Sequence, residues 1–391
     1  MTTTNNTAIG YSLETTPGVI NASPSFQLIP TTGGKPSATT KKAVSAAIRD
    51  DRQQDGITVV GQDIMGDINF ELSQIPFADL LVSLMRGTEY NGLAAAVTDI
   101  AASTGLSAFT STTTNFITSG FVVGMRIRTI GFTTPANNDT WTVTVVAANQ
   151  LDVVLSSDGT TAPTTEAAGA SVSLQGDLID NGALDPDTYT FLYRVQNLVA
   201  TGYFYYPGIQ IGKLALTVPA EGLVTGVLSL MGRSETSTTT AAAGQTVLPE
   251  QNYRILNGVT NIEELSFSGL PDDCFSELSI MIDNTLMPSK CIGTLGTNEI
   301  AANTINATGT ASVYFGDLAS YNNYKNDTAF SFTIFWKDED GKGIGFTFPY
   351  CKWETLDTPR PGKDTFLMLS GTWRATRDPV TGVTVRLLRH E

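Results

Sequence analysis

The chain has 391 residues, 38 of them acidic and 23 basic, giving a net charge of −15 from a charged fraction of only 16%. That length exceeds one ordinary domain, and a hydrophobic content of 41% supplies sizeable cores, which argues against a disordered chain. So acidic and charge-poor a chain lacks the clustered Lys and Arg that neutralise phosphates, which disfavours a basic nucleic-acid-binding face and suggests a surface largely covered by something else.

In chain order, the stretch from Met1 to Thr7 has neither the basic segment nor the apolar core of a secretory signal. No run approaches the ~18 apolar residues of a membrane-spanning helix, so no membrane insertion is expected. Ile68–Leu72 has the period-two pattern of a strand. Pro76–Met85 then predicts a helix, opened by Pro76, closed by Gly87, and apolar around more than half its surface, so sandwiched between other elements. Strands are expected at Phe121–Ile127, Trp141–Val146 and Leu151–Leu155. Ser234–Gln245 reads as a polar, flexible or surface-lying linker. Further strands are expected at Phe330–Phe335 and Thr381–Leu387.

The sequence also repeats itself. Gly66–Leu72 leading into Phe77-Ala78-Asp79-Leu80 matches Gly309–Phe315 leading into Gly316-Asp317-Leu318. Asp187–Phe191 matches Asp327–Ser331, and Tyr203–Pro207 matches Gly345–Pro349. Pro219–Gly222 with Val227–Gly232 matches Arg360-Pro361-Gly362 with Phe366–Gly371. The offset is 309 − 66 = 243 before the helix and 327 − 187 = 140 after it, so the first copy holds about a hundred extra residues. The expected organisation is therefore a first copy over 1–85 and 187–233, an inserted all-β surface module over 86–186, a linker over 234–256, and a second copy over 257–391.

Catalytic chemistry finds little support. The three cysteines (Cys274, Cys291, Cys351) have no metal-ligand spacing and read as reduced, buried thiols. The only histidine, His390, is next to last, where a chain is expected to be frayed or peripheral. No phosphate-binding or dinucleotide-binding glycine motif is present, and no carboxylate pair stands out for glycoside hydrolysis. No cofactor and no metal are expected.

Ile9–Gly18, Ser23–Gln27, Ala47–Asp55, Gly66–Leu72 and Phe77–Met85 carry a resemblance in order along the chain, as do Gly120–Ile127, Tyr203–Gly208 and Leu214–Pro219. With these segments the chain resembles the major tail tube proteins of long, non-contractile-tailed bacteriophages. The resemblance implies a mainly β fold: duplicated tail-tube β-sandwich or barrel domains with short flanking helices, plus the inserted module. It also implies a structural subunit rather than an enzyme, self-associating as stacked rings in a virion tail assembled in the bacterial cytoplasm. The implied partners are a tape measure protein in the lumen, tail terminator and distal tail proteins, and double-stranded DNA in transient passage. Two copies per chain favour a trimeric pseudo-hexamer over a hexameric ring.

Within this reading, Asp63, Asp67, Glu71, Asp338, Glu339 and Asp340 are candidates for an acidic lumen that repels phosphate. Asp67 and Glu71 fit an ordinary solvent face of a strand more simply, and Asp338–Gly341 fits a hairpin turn better than a lining. Lys41, Lys42, Arg49, Asp50, Asp51 and Arg52 are candidates for pairing across subunits, or form a solvated loop. Two other classes remain open at this point: a host-recognition adhesin whose module binds surface glycans, and an acidic β-rich hydrolase.

Overall fold

The computed structural model describes residues 3–267, 274–316, 318–357 and 362–391. The chain begins with β1 (Thr7–Leu13), β2 (Ser25–Leu28), β3 (Gly33–Gly34), β4 (Ser37–Val44), β5 (Ile57–Glu71) and helix α1 (Gln74–Met85). It continues through β6 (Glu89–Val97), β7 (Ile100–Ser103), β8 (Ala108–Ser111), β9 (Arg126–Ile130), β10 (Thr140–Val146), β11 (Gln150–Leu155) and β12 (Val172–Asp180). Next come β13 (Tyr189–Val195), β14 (Gly202–Pro219), β15 (Thr225–Gly232), β16 (Thr236–Thr238) and β17 (Thr246–Leu248). The last part holds β18 (Ile262–Phe267), β19 (Phe275–Asp283), β20 (Leu286–Ser289), β21 (Glu299–Ala302) and β22 (Asn306–Tyr314). It ends with α2 (Ala319–Lys325), β23 (Phe330–Lys337), β24 (Gly343–Asp357), β25 (Met368–Ala375) and β26 (Arg386–His390). Asp317, Arg360 and Pro361 of the sequence repeat lie outside the described residues.

The duplication is written into the strand pairing. In the first copy the antiparallel order is β1–β13–β14–β15–β5–β4. In the second it is β18–β23–β24–β25–β22–β19. The irregularities repeat too. The β13·β14 ladder slips between Tyr189 and Phe191, and β23·β24 slips between Phe330 and Phe332. The β14·β15 ladder slips between Ile211 and Lys213, and β24·β25 between Trp353 and Thr355. Chance alternation of apolar residues makes similar strands but does not put bulges at matching places.

β14 changes sheets along its length. Its first half lies between β13 and β16, and its second half between β15 and β19. Gly208 (φ 71°) sits at the change, where the backbone takes a conformation that favours glycine. The carboxylate of Glu14 holds this corner: it accepts the Gly208 N–H at 2.8 Å, the Gly18 N–H at 2.7 Å and the Thr190 hydroxyl at 2.7 Å. The pairing of β14 with β19 joins the two copies edge to edge. One eight-stranded run results, β4–β5–β15–β14–β19–β22–β25–β24. Its alternate residues, among them Ile64, Ile68, Phe70, Leu214, Leu228 and Ile280, are buried in the main core with α1.

α1 buries Phe77, Leu80, Leu81, Leu84 and Met85, as its nearly all-round apolar surface demands. It opens at Gln74, two residues before Pro76, and Arg86 rather than Gly87 makes the left-handed turn that ends it (φ 51°). Gly87 answers a different constraint: a Cβ there would lie 1.6 Å from the carbonyl oxygen of Asp180.

β6 to β12 surround a separate core built on Phe109, Phe116, Trp141, Leu151 and Leu174. Phe121–Met125 is not strand, because Gly124 adopts φ 92°, and β9 starts only at Arg126. This unit is docked, not merely tethered. Phe335 and Leu388 enter its core, and β12 pairs with β26 through Asp177↔Arg389 to Asp180↔Arg386. Arg126 makes a bidentate ion pair with Glu264, both contacts at 2.7 Å.

Two other expectations are corrected, and of the two readings of 234–256 the surface-lying one applies. β26 starts at Arg386 rather than Thr381 and is threaded between β24 and β12, so His390 is only 1% exposed instead of frayed. Cys351 is buried, but Cys274 and Cys291 are exposed, because they sit in the connections flanking β19 and β20. The segment 234–256 lies along the surface in a fixed seat: β16 pairs with β14, β17 runs parallel to β2, and the Tyr205 hydroxyl bonds Gln245.

Candidate functional site

The eight-stranded run has one face in the core, so period two leaves the other face open. On β5 the open positions are Asp63, Met65, Asp67, Asn69 and Glu71, alternating with buried Ile64, Ile68 and Phe70. Across the ladders the face continues through Thr225, Val227 and Ser229 of β15, then Lys213, Ala215 and Thr217 of β14. It goes on through Ser279, Met281 and Asp283 of β19 and Thr308, Thr310 and Ser312 of β22, to Ser370 and Thr372 of β25 and Thr355 of β24.

Hydroxyls are the common chemistry of this face. Ser279 meets Thr310 at 2.7 Å, Ser312 meets Ser370 at 3.1 Å, and Thr355 meets Thr372 at 2.7 Å, each a cross-strand pair. Sequence reasoning looked for charge and missed them. The signal was available in Thr308-Gly309-Thr310-Ala311-Ser312-Val313, where hydroxyls alternate with small or apolar residues.

Of the acidic candidates, Asp63, Asp67 and Glu71 share this face, joined by Glu277 and Asp283 of the second copy. Basic residues share it in comparable number: Lys41 and Lys42 of β4, Lys213 of β14, Lys352 of β24 and Arg374 of β25, the last bonded to Glu354. Asp63 takes Lys290 at 2.7 Å and Lys41 at 2.5 Å, and these two ammonium groups hold its carboxyl below the usual range. Asp338, Glu339 and Asp340 are elsewhere, in the turn between β23 and β24. There the Asp338 carboxylate accepts the N–H groups of Asp340 and Lys342, Gly341 takes φ 77°, and Asp340 faces Arg254 at 3.3 Å.

Lys41 and Lys42 lie on β4, opposite Gly61 and Val59 of β5. Arg49, Asp50, Asp51 and Arg52 form the exposed turn beyond, and the Arg49 guanidinium donates within that turn to Asp51 and Asp55.

Among the described residues no group of three or more His, Cys, Asp or Glu side chains is placed to hold a metal ion, and no helix is long and apolar enough to cross a membrane. No curated protein matches the chain. The phage tail tube protein family matches it twice, over residues 4–191 and over residues 180–375. Two matches spanning nearly the whole chain, on a mainly β fold that repeats its own strand order, place it in the phage tail tube protein family, a family of structural virion-tail subunits that self-assemble into a tube and are not enzymes.

Proposed function

We propose that three chains close head to tail into a ring of six tube domains, and that the rings stack into the hollow tail of a non-contractile-tailed phage. The observation that carries this reading is the eight-stranded run: one chain already joins two copies edge to edge, with one face in the core and the other open. Three such runs side by side form a closed barrel whose open face lines the lumen. Closure by a head-to-tail contact requires each chain to present two different edges, as these do.

The lining suits a conduit. Hydroxyl side chains hydrogen-bond water without carrying charge, and the Asp67 and Glu71 carboxylates of β5 repel phosphate, so DNA slides through without sticking. The scarcity of charged residues follows from how much of each chain is covered by neighbours in ring and stack. In this assignment residues 1–85 and 187–233 form the first tube domain, 86–186 a module carried on the outside, 234–256 the connector and 257–391 the second tube domain. The lumen holds a tape measure protein before DNA passes, terminator and distal tail proteins cap the ends, and assembly takes place in the host cytoplasm.

Electron microscopy of the purified chain tests the reading. Three-fold rings with six lobes, alone or stacked, support it. Rings of six chains overturn the trimer, and a persistent monomer at high concentration overturns the tube.

A further inference from the structure

The junction between the two copies inside one chain is a template for the junction between chains. In the internal junction the second half of β14 pairs with β19, running from Lys213↔Asp283 to Pro219↔Glu277. The equivalent of that half of β14 is the second half of β24: Lys213 pairs with Ser229 as Thr355 pairs with Thr372, each just after the shared bulge. The equivalent of β19 is β3 with β4: Asp283 pairs with Asn306 as Thr39 pairs with Asp63. Within one chain these two equivalents are far ends of the eight-stranded run. Among the described residues, β4 pairs only with β5, and β24 beyond Cys351 pairs only with β25.

From this, and resting on the ring proposed above, we infer that β24 of each chain pairs antiparallel with β4 of the next in a defined register: Thr355 opposite Thr39, and Leu356 opposite Ala38. The offsets fix it, since 355 − 213 = 142 carries β14 onto β24 and 283 − 39 = 244 carries β4 onto β19. The side chains agree with the offsets. In the internal junction Leu214 and Ile282 meet on the core side, both fully buried. At the new junction Leu356 and Ala38 take those two places, both packed against the main core, while Thr355 and Thr39 extend the hydroxyl face.

A second observation points to the same contact. The connection from β19 to β22 folds back over the first copy: the Gln62 N–H donates to the Leu295 carbonyl, the Asn284 N–H to the Gly212 carbonyl, and Lys290 reaches Asp63. Its equivalent in the first copy, the turn between β4 and β5, meets no such surface among the described residues of its own chain. It stands out with Val44, Ile57, Val59 and Val60 exposed. By the same equivalence it lies on the second copy of the preceding chain, around Ile305 and Asn306, the counterparts of Gln62 and Asp63, which gives those apolar side chains cover.

Disulfide trapping in the full-length chain tests the register, after Cys274→Ser and Cys291→Ser remove the exposed thiols. Thr355→Cys in one chain and Thr39→Cys in another, mixed and oxidised, form covalent dimers, whereas each variant alone gives none. Carrying both substitutions in one chain yields a closed covalent trimer. Thr355→Cys with Lys35→Cys is displaced by four residues, about 13 Å along a strand, and forms no bridge. In the unsubstituted chain, assembly slows amide exchange at residues 37–40 and 353–356 by roughly 100-fold or more. Rings without the in-register bridge, bridging by Thr39→Cys alone, or unchanged exchange in assembled rings each overturn the register while the tube stands. A chain that never assembles overturns the tube and the register together.

Discussion

Glu264→Ala is expected to detach the 86–186 unit locally while the rest of the chain stays folded. The Arg126 side chain is 7% exposed and that of Glu264 is 15% exposed, and both guanidinium contacts are 2.7 Å. Removing one member of so buried a pair costs about 3–5 kcal/mol, because the other charge is left without a counter-ion. Arg126 keeps one contact, the Gly124 carbonyl at 2.7 Å, which places the loss near the lower end, about 3 kcal/mol. At about 1.4 kcal/mol per decade, that is roughly a 150-fold rise in local opening. Hydrogen exchange of the amides in β9 and β18 reads this directly, without assuming that so large a chain unfolds in one step. Replacing both residues by Leu strands no charge and should cost clearly less than Glu264→Ala. A loss below about 1 kcal/mol, or a double variant as damaging as the single one, refutes the argument.

Other expectations follow from single sites. Burial, with the Arg128 and Lys337 charges nearby, pushes His390 from 6.5 down to about 3. The folded state therefore keeps the ring neutral: its contribution is complete above about 6.5 and is lost as pH falls toward 3, at up to about 1.4 kcal/mol per pH unit. His390→Gln should flatten that part of the acid-unfolding curve relative to the parent; parallel curves would contradict it. Glu14→Ala removes the acceptor for Gly208, Gly18 and Thr190, and should lower urea stability of the first copy by about 3 kcal/mol, a loss under about 1 kcal/mol counting against the corner assignment. Gly309→Ala puts a Cβ 2.1 Å from the Ser279 carbonyl oxygen and 2.4 Å from the Trp373 ring, so it should cost about 2 kcal/mol or more. Gly105→Ala, with nothing within 4 Å, should stay within about 0.5 kcal/mol in the same denaturation assay. Asp67→Lys with Glu71→Lys should make assembled tubes retain DNA at low salt, with retention falling steeply as salt rises; tubes that still release DNA freely would separate the open face from the lumen.

What could be read from the sequence, and what could not, divides by the distance over which each feature is decided. Period two is local, so the residues of β5 sort correctly from the sequence alone: Asp63, Asp67 and Glu71 share one face because they differ by even steps. The paired Gly66 and Gly309, and Pro207 and Pro349, expose the duplication for the same reason, since each copy repeats its local constraints in order. Neighbours across sheets are a different matter. Arg126 and Glu264 are 138 residues apart, and nothing near either one names the other. His390 looked peripheral from its position near the chain end, yet a strand inserted between β24 and β12 is covered on both edges wherever it falls in the sequence. The Asp338-Glu339-Asp340 run shows the limit of composition. A cluster of charge marks a turn as readily as a lining, and here Asp338 spends its carboxylate on the backbone N–H groups of its own turn. The two copies supply what a single copy cannot, because matched bulges convert a local likeness into a long-range register. An interface between chains becomes legible only when the chain already contains one example of it, as the β14·β19 junction does.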